Sequence, residues 1–235
     1  MSEHRQPVVG IIMLDTRFPR YLGDIGNPES FSRLNLATIY QRVPAATVAS
    51  VVTGQGIEQK VADQLLGAAK TLGQASVDLV LTSCGYLGEL QQPLQQAAGA
   101  PVVASSLVSL PFLRLVYGET VDLGVMTFDA RRLKPHHLRL QTMGQSSMQS
   151  NPVNIQVRGM ESSPAFYNMI ANDEPQADFK QLQLEVTSVA ESFGQTGIAA
   201  LVLECTNLSP FKNEIREAAG VPVFDIFDVS GFLLA

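Results

Sequence analysis

The chain is predicted to be an α/β protein of two similar lobes. Each lobe is a mostly parallel sheet covered by helices, and a pseudo-twofold axis relates the two, with the site in the cleft between them. Three observations lead there. Apolar runs rich in Val, Ile and Leu alternate with helical stretches, and runs apolar on both faces are what a parallel sheet covered by helices requires. One unit occurs twice: "LVLTSCGYLGELQQPLQQAAGAPVV" at 79–103 and "LVLECTNLSPFKNEIREAAGVPVF" at 201–224. Each copy runs from an apolar strand through a cysteine, a helical stretch and AAG to a short Pro-Val strand. Finally, "VVGIIML" opens the first half as "VDLGVMT" opens the second.

In chain order, the strand candidates are 7–14, 46–52, 77–82, 101–105, 121–127, 153–157, 198–204 and 221–226. Between the second and third, Ile57, Val61, Leu65, Ala68 and Leu72 fall at helical spacing. Phe179, Leu182, Leu184, Val186, Val189 and Phe193 mark another helix, less cleanly. Within the repeated unit, helices are expected at 86–97 and 208–219. Gly10 lies 74 residues before Cys84 and Gly124 lies 81 before Cys205, so the halves differ by a modest insertion. A period above 100 residues is too long for a solenoid and points to two facing lobes.

Composition narrows the function. With 46% hydrophobic and 16% charged residues, the chain reads as globular and able to bury a core. A net charge of −6 without a basic block argues against nucleic acid or an anionic membrane as partner. The seven-residue "VVGIIML" is followed by Asp15 and Arg17, so it reads as a buried strand and not as a signal peptide. No apolar run approaches the roughly 18 residues of a membrane span. Two cysteines do not make a disulfide scaffold, which points to a cytoplasmic protein with reduced thiols. His136 and His137 are adjacent and read as surface residues. No metal-ligand spacing, P-loop or dinucleotide fingerprint is present, so no metal and no cofactor are expected.

Those two cysteines, Cys84 and Cys205, hold equivalent places, each 17 positions before a proline, Pro101 and Pro222. Ligands of open α/β sheets bind outside the carboxyl ends of the strands. Facing lobes therefore point both thiols into one cleft. Packing is the bland reading of a cysteine, and a regulatory disulfide is a third. Two thiols at matched strand ends favour chemistry. The helix that follows each strand end offers N–H groups that favour a thiolate. One thiolate can take a proton from carbon while the opposite thiol delivers one to the other face, inverting a stereocentre. A nucleophilic cysteine would want a histidine base nearby, and neither motif has one.

The pair "LTSCGYL" and "LECTNLSP", with the duplicated layout, resembles the aspartate/glutamate racemase superfamily, which includes hydantoin racemases, maleate isomerases and arylmalonate decarboxylases. The resemblance spans essentially the whole chain, and "ECTN" is its more specific motif. It implies a cofactor-independent racemase or epimerase with Cys84 and Cys205 as opposed acid and base, acting next to the carboxylate of an amino acid or related small acid. It also implies two lobes that exchange terminal helices, here 1–104 with 228–235 and 105–227, and a homodimer. Gly85-Tyr86 stands where the amino-acid racemases carry Asn-Thr, and Asn207 replaces a histidine or glutamate. Alternatives are another chemistry of the superfamily, cis–trans isomerisation or decarboxylation, or a non-catalytic two-lobed binding protein.

The loop at 15–29 leaves the first strand at the cleft end and holds Asp15, Thr16, Arg17, Arg20, Asp24 and Asn27. Long loops there are often functional, and an arginine can pair bidentately with a carboxylate. Asp15, Thr16 and Arg17 are taken as substrate-binding candidates beside Gly85, Tyr86, Thr127, Thr206 and Asn207. Thr127 comes from the matching place in the second lobe, and Gly85 and Thr206 offer backbone N–H groups at helix starts.

Overall fold

The computed structural model describes residues 5–118, 120–139 and 155–234. The first sheet has strands β1 (Val8–Leu14), β2 (Ala37–Val43), β3 (Leu79–Thr82) and β4 (Val102–Val103), in the order β2-β1-β3-β4. The second has β5 (Leu123–Met126), β6 (Ile155–Arg158), β7 (Ala200–Leu203) and β8 (Val223–Phe224), in the equivalent order β6-β5-β7-β8. All pairings are parallel. Among the described residues the helices are α1 (Pro28–Ser32), α2 (Val48–Val51), α3 (Gln59–Gln74), α4 (Gln91–Ala98), α5 (Leu110–Tyr117), α6 (Pro135–Arg139), α7 (Pro164–Ala171), α8 (Phe179–Glu191), α9 (Lys212–Ala219) and α10 (Ile226–Leu234).

The central strands are buried on both sides, which is why they read as unbroken apolar runs. On β1, Val9, Ile11 and Met13 face one cluster with Leu79, Leu81, Phe31 and Ile226. Ile12 and Leu14 face the other, larger cluster, as the two-residue period of a strand dictates. That larger cluster runs on through Leu107, Leu110 and Leu113 to Val125, Val202 and Phe211 of the second lobe. Ile226 and the partly buried Phe227, Val229 and Leu234 bring α10 back onto the first sheet. Among the described residues no helix is long and apolar enough to cross a membrane.

The repeated unit folds alike in both lobes. Each cysteine is followed by a 3₁₀ turn, Gly85–Leu90 or Thr206–Phe211, and then by an eight-residue helix, α4 or α9. Each of these helices ends on a left-handed glycine, Gly99 (φ 63°) or Gly220 (φ 67°), and leads into a two-residue strand.

Two element expectations are corrected. Residues 46–52 do not form a strand: Thr47 and Ser50 make a reciprocal capping box, and Val48–Val51 is helical. The strand of this region is β2, at the sheet edge, whose partial exposure admits Gln41 and Arg42. The run at 221–226 is strand only over Val223–Phe224, since α10 begins at Ile226. The start of the expected strand at 153–157 lies outside the described residues.

Candidate active site

A pocket of about 350 Å³, part of it open to solvent, lies between the carboxyl ends of the two sheets. The first lobe supplies Leu14, Phe18, Arg20 and Cys84, and the second supplies Phe128, Ile170, Glu204 and Cys205. Gly85, Tyr86, Thr206 and Asn207 also line it. Six of the ten predicted site residues thus line one pocket, both cysteines among them.

The other four stand elsewhere. Asp15 is exposed and pairs with Arg42 at 3.2 Å. Arg17 is 73% exposed and pairs with Asp173 at 3.1 Å. Both point away from the pocket, alternating with the buried Thr16 and Phe18. Thr16 is buried and accepts a hydrogen bond from Arg20. Thr127 stands behind the wall and donates to Glu204 Oε2 at 2.6 Å. Thr206 lines the pocket, but its hydroxyl is spent on the Ser83 carbonyl of the opposite lobe at 2.9 Å.

Arg20, held by the 15–29 loop, is the one cation among the described lining residues. Its guanidinium lies 4.4 Å above the Phe18 ring and donates to Asp24 and Thr16. Asp24 is buried and accepts from the Asn207 carboxamide at 2.8 Å. The Asn207 Oδ1 in turn accepts from the Cys205 thiol at 3.8 Å. A chain of partners therefore runs from Arg20 to the second cysteine and orients its S–H.

Both cysteines are free thiols. Burial, then the Glu204 carboxyl, pushes Cys84 up to about 12, outweighing the Tyr86 and Leu87 N–H groups and Arg20. Burial and Glu204 likewise push Cys205 well above the ordinary thiol range, against the Asn207 N–H. The expected help from helix starts is present and too small, since it comes from one or two 3₁₀ N–H groups per thiol. A thiolate formed here is scarce and correspondingly basic, suited to taking a proton from carbon.

Glu204, between β7 and Cys205, was not foreseen as a site residue. It is fully buried, and burial raises its carboxyl to about 7 despite the Thr127 hydrogen bond. A charged residue closing the otherwise apolar run "IAALVLE" was the available signal. Here the repeat breaks its own symmetry, because the equivalent residue of the first copy is Ser83. Gly85 makes room for this carboxyl: a Cβ at Gly85 would lie 2.3 Å from both Glu204 Oε1 and the Glu204 carbonyl oxygen.

His137 is buried, not a surface residue, and packs edge-on to Tyr86. Burial holds it down at about 4. Its Nδ1 accepts from the Lys134 N–H at 2.9 Å, so its own proton sits on Nε2, 3.6 Å from Glu89. Glu89, His136 and His137 form the one cluster of possible metal ligands among the described residues, but that tautomer leaves His137 without a lone pair for a cation.

The Asp/Glu/hydantoin racemase family model matches residues 43–231. The chain belongs to that family. Curated relatives carry another activity in their names. Dimethylsulfoniopropionate lyase 6 of Emiliania huxleyi (strain CCMP1516) is 27% identical over 97% of this chain, which spans 59% of that relative's length. The dimethylsulfoniopropionate lyase of Durusdinium sp. clade D is 25% identical, with 96% of this chain and 73% of the relative covered. Among solved structures, a glutamate racemase isoform from Bacillus anthracis superposes with a TM-score of 0.61 at 12% identity, covering 98% of this chain and 82% of that one. Unliganded arylmalonate decarboxylase gives 0.57 at 16% identity, covering 97% and 93%. Both likenesses concern the fold.

Proposed function

We propose that the protein removes the proton from the carbon next to a carboxylate without a cofactor, using a pocket cysteine as base, and that β-elimination follows. The substrate class is a small sulfonium carboxylate of the dimethylsulfoniopropionate kind. A thiolate takes a C2 proton, and the C–H electron pair passes into the carboxylate as an enediolate before returning to form the C2=C3 double bond. The C3–S bond breaks with its pair retained by sulfur, leaving dimethyl sulfide and acrylate, and the thiol returns its proton to solvent. The observation that carries this reading is that both thiols, a single arginine and an otherwise largely apolar wall meet in one pocket. Arg20 suits the carboxylate, and the rings of Tyr86 and Phe128 suit a sulfonium cation. The names of the curated relatives support the leaving group.

Racemisation of an amino acid or related acid is the second reading, favoured by the equivalent placement of Cys84 and Cys205 on opposite lobes. It begins with the same proton removal, and the second thiol then delivers a proton to the other face. Gas chromatography of the headspace over enzyme and dimethylsulfoniopropionate separates the two. Dimethyl sulfide formed by the wild type and lost in Cys84→Ala or Cys205→Ala is the expected result. No dimethyl sulfide, together with α-proton exchange on amino acids, would favour the racemase. Neither signal would sink both readings.

A homodimer is a separate proposal, supported by Phe112, Leu115 and Val116, which form an exposed apolar stripe at helical spacing on α5.

A further inference from the structure

We infer that Glu204 acts in the pocket as an uncharged hydrogen-bond donor to the substrate carboxylate, strengthening its bond as that group gains negative charge on loss of the α-proton. The inference rests on the proton-abstraction reading and adds a third chemical group to the two thiols.

Geometry carries it. Glu204 lines the pocket and is fully buried, and the causes of its shift include no cation. Its Oε2 accepts from Thr127, so the Thr127 hydroxyl proton is already committed. Its Oε1 is buried with no hydrogen-bond partner. A buried carboxylate with one neutral donor and no cation is costly, and a neutral acid is the cheaper form. With the Thr127 bond kept, the acid proton belongs on Oε1, the oxygen that lacks a partner. An unmet buried donor is destabilising, and a ligand oxygen accepting from it would remove that cost. Gly85 leaves Oε1 its room at the pocket wall.

The groups facing Glu204 fit this role. Cys84 and Tyr86 from the first lobe and Cys205 beside it all feel its charge as a destabilising neighbour. Asp129 lies beyond Tyr86, while Arg20 is engaged with Asp24. Once Glu204 ionises, as it does near pH 7, a thiolate would be a second negative charge among buried side chains. The competent form therefore pairs a neutral Glu204 with one thiolate. No proton leaves Glu204 in the step: it lends a hydrogen bond to the enediolate oxygen, as donors aimed at developing charge do.

Two experiments test this, one of which needs no substrate. The first follows iodoacetamide alkylation of the thiols against pH. In the wild type the rise should slacken near pH 7, where ionised Glu204 begins to oppose the thiolate. In Glu204→Gln it should keep rising about tenfold per pH unit. Coincident profiles would overturn the inference. Should Glu204→Gln not fold, the wild-type profile decides alone: a break in slope near pH 7 supports the inference and an unbroken rise overturns it. The second compares kcat/KM with dimethylsulfoniopropionate. Glu204→Gln keeps a neutral donor and should stay within about tenfold of the wild type at pH 6, while Glu204→Ala should lose about 100-fold. Equal loss in both variants, with the alkylation result intact, would mean that Glu204 transfers a proton and does not donate a hydrogen bond. If no substrate turns over, the functional reading fails while the alkylation profile still tests Glu204.

Discussion

The Tyr86 hydroxyl donates to the Asp129 carbonyl oxygen across the cleft at 2.6 Å, tying the turn after the first cysteine to the loop that follows β5. Tyr86 is buried, so losing the hydroxyl leaves that carbonyl without this donor. Tyr86→Phe should cost about 1–3 kcal/mol in urea unfolding. Activity should fall as well, because Gly85 and Cys84 hang on the same turn. An unchanged unfolding midpoint would remove the bond from the account.

Arg20 and Asp24 form a nearly buried pair, with side chains 12% and 1% exposed. Removing Arg20 strands a buried carboxylate, which typically costs about 3–5 kcal/mol. Arg20→Ala should therefore unfold at markedly lower urea and, in any folded fraction, show a raised KM for carboxylate substrates. A variant as stable as the wild type would contradict the burial of the pair.

Glu204 also makes stability depend on pH. Its carboxyl is raised from 4.5 to about 7 in the folded protein, so the native state holds that proton more tightly than the unfolded chain. The resulting stabilisation is fully present below about pH 4.5 and is lost as pH rises through about 7. The loss is on the order of 3 kcal/mol. Glu204→Gln should lack this decline when urea unfolding is compared at pH 5 and pH 8. Parallel behaviour of the two proteins would show that the carboxyl is not buried unpaired.

Leu115 is 79% exposed on the apolar stripe of α5. Leu115→Glu should shift a sedimenting dimer to monomer without loss of helical signal. A wild type that sediments as a monomer would refute the dimer outright.

Much of this architecture is legible in the sequence for a physical reason. β1, β3, β5 and β7 are buried on both faces and must be apolar throughout, and the duplicated unit places Cys84 and Cys205 at equivalent strand ends. β2 was not legible, because an edge strand can carry Gln41 and Arg42 and so breaks the apolar pattern. The run at 46–52 misleads, since a short apolar run fits a strand or a buried helical turn equally. In the site, Gly85 and Asn207 follow from their places beside the cysteines. Arg20 and Glu204 are known as wall residues only through their three-dimensional neighbours: Phe18 and Asp24 for one, Gly85 and Thr127 for the other. Asp15 and Arg17 show the converse, polar residues at a strand end whose partners, Arg42 and Asp173, draw them outward.

The central claim is that a pocket thiol takes the proton from carbon, and proton NMR in deuterium oxide tests it most directly. Dimethylsulfoniopropionate and a panel of amino acids would each be incubated with the wild type, Cys84→Ala and Cys205→Ala. The wild type should remove a C2 or α-proton from at least one of these acids. A cysteine that acts as base should lower that rate by about 100-fold to 10,000-fold when replaced. Should both thiols serve, the two variants would retain exchange with opposite faces of the carbon. Undiminished proton loss in both variants would contradict the account.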